Sequence, residues 1–213
     1  MGSVKPIVRE LKQAVLKGMG HSKDRLHQLT DNIDNHVGDV VRRVRGTDHF
    51  DGSIDVNVRP FRRNRNHDSA EYNRQYNEQM DTLQNMSAAD WLRNRIEYLE
   101  HGRPADSLRA QQAARDAALA DKIAELRAGG MSRSEARDAA STWMQSQAAL
   151  HRLDGIAGGD VTDISRVGDS RVNSSLGSQW RTRVGDIDRA IIDYVNANPG
   201  VDLSTLNINL VFG

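Results

Sequence analysis

AALHRLDGIAGGDVTDISRVGDSRVNSSLGSQWRTR, residues 148–183, is the stretch on which the reading of this chain turns. An alanine-rich helix runs into it, and the helical periodicity then gives way to a polar, glycine-punctuated segment. His151 and Asp154 stand three apart, followed by Gly155, Gly158 and Gly159 and then by Asp160 and Asp163. An Asn173-Ser174-Ser175 run reads as the opening of the next helix. Loops of this length inside a compact domain are uncommon and tend to be functional or disordered. The density of ionisable and small residues here favours function.

Outward from that stretch the chain reads as helical. Upstream, Ser132 and Glu135 form a capping box for a helix over about 133–150, with Trp143, Met144, Ala148 and Leu150 on its buried side. Before it, residues 105–128 make a long alanine-rich helix that Gly129-Gly130 terminate. Ser87 and Asp90 mark the start of another helix, which Gly102-Arg103-Pro104 end. Downstream, a helix capped by Ser174 or Ser175 continues through Trp180, Val184, Ile187, Ile191 and Tyr194 to Pro199-Gly200. Leu206 to Phe212 alternate like one strand. Residues 6–45 read as two helices, the second with an apolar stripe from Leu26 to Val44. Between 46 and 69 lie a short β-like run (Ile54, Val56, Val58) and an arginine cluster, Arg59, Arg62, Arg63 and Arg65. The expected fold class is mainly α: a helical domain with a long polar catalytic loop and at most a short C-terminal strand or hairpin. The expected division is 1–68, an N-terminal extension with a basic linker, and 69–213, the functional domain.

Composition excludes several classes. The 213 residues contain no cysteine, so neither a disulfide framework nor a thiolate metal site is possible. No apolar run approaches the roughly 18 residues of a membrane-spanning helix, so membrane insertion is not expected. Lys+Arg and Asp+Glu both number 29, so total charge names no partner, although the arginines cluster locally. There is no P-loop, dinucleotide fingerprint, nucleophile elbow or zinc-protease helix.

His-x-x-Asp occurs three times, as His21/Asp24, His36/Asp39 and His151/Asp154. The first two fall on an amphipathic helix and read as surface pairs. The third is followed by glycines that let a ligand approach backbone and by Asp160 and Asp163, which with Asp154 supply the oxygen ligands that Mg²⁺ prefers. His151 has the pKa of a general base, and a helix-terminal cap is the alternative role. Asn173, Ser174 and Ser175 read as a helix cap or as a phosphate site at a helix start. Arg181, Arg183 and Gln179 stand close by, and arginine suits phosphate oxygens. The cluster Arg59–Arg65 reads equally as a nucleic-acid contact, a solvated linker or a docking strip for an acidic partner.

The tract ALHRLDGIAGGD…ISRVGDSRVNSSLGSQWRTRV, preceded by GGMSRSEARDAASTWM, resembles the novel toxin 15 (polymorphic toxin type 15) domain, from roughly Tyr72 to Phe212. The resemblance implies a C-terminal nuclease module of a bacterial secreted toxin. It would cut DNA with Mg²⁺ or another divalent cation, and His151 and Asp154 would occupy the signature His-x-x-Asp. It further implies delivery into a target bacterial cell in interbacterial competition and neutralisation by a cognate immunity protein. Residues 1–68 inherit no catalytic role. His151 is then expected to activate water, Asp154 with Asp160 or Asp163 to hold the metal, and Asn173, Ser174, Ser175, Gln179, Arg181 and Arg183 to bind substrate. The opposite division, with His151 as metal ligand, fits the same residues. An RNase toxin and a non-enzymatic helical interaction module are the alternatives. Chelation separates the metal-dependent DNase from a metal-free RNase.

Overall fold

Alternation decides the first element. In β1 (Gly52–Val58) Ile54, Val56 and Val58 are buried while Ser53, Asp55 and Asn57 face solvent, as the two-residue period of a half-buried strand requires. The computed structural model describes residues 52–213, so the two expected helices over 6–45 and the first two His-x-x-Asp pairs lie outside the described residues.

Six helices and two further irregular turns follow. They are α1 (Ser69–Gln84), α2 (Ala88–His101), α3 (Ala105–Ala128), α4 (Arg133–Met144), α5 (Ser170–Trp180) and α6 (Val184–Ala197). Side-chain oxygens start α1 and α2: Asp68 accepts from the Glu71 amide and Ser87 from the Asp90 amide. The capping box at Ser132 and Glu135 opens α4 as the sequence predicts. The strands are β1, β2 (Gln147–His151), β3 (Ile164–Asp169) and β4 (Leu206–Phe212). The domain is thus mainly α with a small strand component.

The core lies where β1 and β4 pair in parallel, Gly52 opposite Leu206 through Val58 opposite Phe212. Against that ribbon pack Val184, Ile187, Ile191, Ile192 and Val195 of α6, and Trp91, Leu92 and Ile96 of α2. Both fully buried tryptophans place their indole N–H on a polar partner, as buried indoles must: Trp91 on Asp188 at 2.7 Å and Trp180 on Gln79 at 2.5 Å. Because β1 supplies three core residues and a full strand pairing, a boundary at 68/69 does not separate it from the domain. The described body begins at Gly52. By contrast, the α3–α4 hairpin stands largely outside the core, and α3 buries only Ser107.

Three expectations about the decisive stretch are corrected. The helix over 133–150 stops at Met144, and Gln147–His151 instead form β2, antiparallel to β3. Ala148 and Ala149 favour helix intrinsically, but pairing with β3 and burial of Ala149 and Leu150 override that preference. The long polar loop is therefore a β-hairpin whose connection, 152–163, holds the 3₁₀ turn Gly155–Ala157. Finally, α5 begins at Ser170. Asp169 caps it by accepting from the Arg171 and Val172 amides, so Ser174 and Ser175 sit inside the helix and not at its start. A turn at 181–183 separates α5 from α6.

Candidate functional site

His151 is the last residue of β2, and Asp154 caps the 3₁₀ turn that follows. Asp154 holds the turn from both ends of the residue. Its Oδ1 accepts from the Ile156 amide at 3.0 Å, and its carbonyl accepts from the amides of Ala157 and Gly159. Gly158 takes a left-handed conformation, φ +75°, which favours glycine. Gly159 lies so close to Leu153 backbone that no side chain fits there. Helix α2 fixes the turn from below: Asn94 donates to the Gly158 carbonyl at 2.8 Å and Arg95 to the Ile156 carbonyl at 2.7 Å. Arg95 is in turn held by Asp188, buried beneath it.

The imidazole of His151 is half-buried, and its Nε2 lies 3.1 Å from the Val161 carbonyl. A carbonyl only accepts, so this hydrogen bond places the ring proton on Nε2 and leaves the lone pair on Nδ1. Burial first, and then the Arg103 guanidinium, push the His151 pKa below its usual 6.5; Asp154 and Asp160 oppose them without prevailing. Near neutral pH the ring is therefore an uncharged base in the field of two carboxylates and one arginine. Asp160 stays ionised well into acid, chiefly because the Thr162 amide and hydroxyl donate to its Oδ1 at 2.8 and 2.7 Å.

The three expected metal ligands do not converge. Asp163 forms an ion pair with Arg152 at 3.2 Å. Among the described residues no three His, Asp or Glu side chains gather in an arrangement that could hold a metal. Asp154 and Asp160 are the carboxylates whose charge acts on His151. Two carboxylates suffice for Mg²⁺ only where substrate phosphate and water complete its octahedron, which is its usual habit. Among the described residues the side chains offer no all-protein cage for a metal.

The expected substrate residues divide into two groups. Gly177 of α5 faces Asp154 so closely that a Cβ there would lie 2.7 Å from Oδ2. Asn173 and Arg181, four residues either side, share its row, and Ser174 lies beside it; Ser174 and Arg181 are exposed and Asn173 partly so. The helical spacing puts these three on the same side of α5 as Gly177. Gln179 and Arg183 bind elsewhere. The Gln179 amide pairs with both the N–H and the C=O of Arg62, at 2.7 and 3.1 Å. Arg183 is buried and spends its donors on the carbonyls of Arg59, Pro60 and Gln179 and on the Thr182 hydroxyl. Their hydrogen bonds go chiefly to the backbone of 59–62 and none to the His151–Asp154 turn. Ser175 faces Gln179, whose amide donates to its hydroxyl at 3.4 Å. The free amides expected at Asn173–Ser175 are also absent, because Asp169 starts the helix one turn earlier.

Arg103 and Gly177 were not among the residues picked from sequence. Arg103 lies in the α2–α3 turn and reaches His151 only through the fold. Gly177 in mid-helix was the readable signal, since an interior glycine weakens a helix and calls for a packing reason.

No curated protein matches this chain. The span that carries the His151–Asp154 turn, its α2 support and helix α5 falls inside residues 66–209, which match the family model described as novel toxin 15. The chain belongs to that family, and the domain is a polymorphic toxin module.

Proposed function

We propose that this toxin module is a DNase that hydrolyses phosphodiester bonds at the His151–Asp154 turn. The observation that carries the reading is the setting of His151: an imidazole whose tautomer the Val161 carbonyl sets and whose pKa burial lowers, in the field of Asp154 and Asp160. In the proposed step His151 Nδ1 takes a proton from water as the water oxygen bonds to phosphorus. The P–O bond to the leaving sugar breaks, and the departing oxygen is protonated from solvent. Asp154 stabilises the imidazolium that forms through its charge, while the Val161 carbonyl holds the other ring nitrogen. Asn173, Ser174 and Arg181, on the Gly177 side of α5, would hold the phosphate, Arg181 with a fork suited to its oxygens. A Mg²⁺ held by Asp154, Asp160 and the substrate would neutralise phosphate charge and polarise the scissile bond. Asp163, spent on Arg152, has no part in it.

The same reading makes the module lethal after delivery into a target bacterial cell, with a cognate immunity protein protecting the producer. Among the described residues no helix is long and apolar enough to cross a membrane.

The test is supercoiled plasmid incubated with the purified protein in Mg²⁺ and in EDTA, alongside His151→Ala and Asp154→Asn. The asparagine keeps an oxygen for the Ile156 amide, so the turn persists while the charge is lost. Nicking by wild type in Mg²⁺, reduced by about 10²–10⁴-fold in either variant, supports the reading. Full cleavage by His151→Ala ends it. Cleavage that survives EDTA removes the cation and keeps the histidine.

A further inference from the structure

The segment 59–66, RPFRRNRN, carries four arginines and no carboxylate. It has no regular secondary structure up to Asn64. Such a segment gains little by ordering: its like charges repel, and fixing each residue costs about 1–2 kcal/mol of backbone entropy. It is nevertheless strapped down. Gln179 pairs with both backbone groups of Arg62, and Arg183 binds the carbonyls of Arg59 and Pro60. Phe61 inserts between them, its ring centroid 4.9 Å from Trp180 and 4.2 Å from the Arg183 guanidinium carbon.

The clamps act on the backbone and on Phe61 and leave the charged groups outside. Arg59, Arg62, Arg63 and Arg65 are exposed, and none forms an ion pair among the described residues. Among the described residues the Arg59 and Arg63 guanidiniums touch only carbonyl oxygens, and no hydrogen bond engages the guanidinium of Arg62 or Arg65. Arg181, on the exposed side of α5, is likewise without an acidic partner among the described residues.

We infer that the strap is a phosphate-backbone track that seats duplex DNA across α5 and leads it to the His151–Asp154 turn; the inference rests on the nuclease reading. Gly177 and Arg181 face the turn, Gln179 faces the strap, and the exposed Ser174 and Ser178 lie between them. A helix is about 10 Å across, and each strand of DNA carries a charge every 3.4 Å or so, so the crossing spans about three phosphates. Arg62 and Arg65 are at most about 10 Å apart along the chain, the same interval. A cluster of exposed guanidiniums with no acidic partner among the described residues matches a polyanion better than the mixed surface of a folded protein.

The test reads binding and not cleavage. Full-length protein carrying His151→Ala is titrated into a fluorescein-labelled 25-base-pair duplex (the length chosen to be on the order of two helical turns), and anisotropy is followed from low to high NaCl. The expected result is that adding Arg62→Ala and Arg65→Ala weakens binding and lowers the salt slope by about two, at roughly 0.9 per phosphate contact. Arg62→Lys with Arg65→Lys restores the slope, since it counts charge. Arg127→Ala with Arg133→Ala, which removes the same net charge beside the α3–α4 turn, leaves it unchanged. Equal affinity and slope for the Arg62/Arg65 alanine pair and its parent overturns the track, as does no binding by the parent. A plasmid left intact by wild type, together with strap-dependent binding, would sink the nuclease reading alone.

Discussion

Two buried arginines each hold down an irregular segment, and they do so by different means. Arg95 and Arg183 are each 5% exposed. Arg95 reaches up from α2 to the Ile156 carbonyl of the His151–Asp154 turn, and its charge is met by Asp188. Arg183 reaches the carbonyls of the strap and forms no ion pair among the described residues; its guanidinium lies on the Phe61 ring. Burial first and the neighbouring Arg59 next pull its pKa below the usual guanidinium value. The turn is thus tied to the core by a neutralised pair, whereas the strap is held by a cation that only dipoles and a ring satisfy. The first arrangement makes the site inseparable from the fold. The second makes the strap detachable.

The largest expected effect follows from the first arrangement. Asp188→Ala strands the Arg95 charge and the Trp91 indole N–H in the core; breaking a buried pair from one side costs about 3–5 kcal/mol. Urea denaturation should show that loss as a lower midpoint, and cleavage should fall with it because Ile156 loses its anchor. If Asp188→Ala melts like wild type, the turn is not tied to the core in this way.

Arg183→Ala should cost less, about 2–3 kcal/mol, since hydrogen bonds from a charged donor are worth about 1.5–3 kcal/mol each and carbonyls freed at the surface are rehydrated. Its signature is selective. Limited proteolysis should open the strap at Arg59–Arg65, while the turn, held by Arg95 and Asn94, stays closed. Equal protection of both segments would erase the contrast between the two clamps.

The two regions also differ in how far they were legible. The turn announces itself locally: an Asx cap, three glycines and a histidine within nine residues, His151–Gly159, and the structure brings His151 and Asp154 together beside Asp160. The strap is readable only as a run of arginines, because what fixes it lies 117–124 residues away at Gln179 and Arg183. From sequence those two read as substrate residues, whereas the structure has them binding the strap. Mainly α architecture and the capping boxes followed from local chemistry, whereas β2 did not. Gln-Ala-Ala-Leu-His carries helix-forming residues, and only its partner strand, in which Gly168 lets Leu150 and Glu71 approach, makes it a strand.

Between the two regions stands Gly177, the point where α5 meets Asp154. Gly177→Ala should raise helix propensity by about 1 kcal/mol while its Cβ, 2.7 Å from Oδ2, forces the carboxylate aside. A displacement of this order costs about 10²-fold in rate. The expected outcome is a protein of equal or higher thermal stability that binds duplex normally and cleaves it poorly. Unimpaired cleavage would show that the Asp154 carboxylate position does not matter.

The smallest effect is a displacement on the pH axis, and it separates the charges around His151. Because the folded imidazole binds a proton more weakly than the unfolded one, the acid limb of kcat/KM should lie below pH 6.5, the usual imidazole value. The same shift sets the stability sign. Above 6.5 neither state is protonated and the contribution of His151 stands in full; as pH falls from there toward the folded pKa, the unfolded state gains the proton first and stability declines. Removing Arg103 deletes a cation that disfavours the imidazolium, so Arg103→Ala should move the limb up toward 6.5. Asp154→Asn deletes an anion that favours it, so its residual activity should show the limb moved down. Opposite displacements from two exchanges on different elements, Arg103 in the α2–α3 turn and Asp154 in the hairpin, would identify the titrating group as the histidine between them. Displacement in the same direction would assign the limb to another group and remove His151 from the proton transfer.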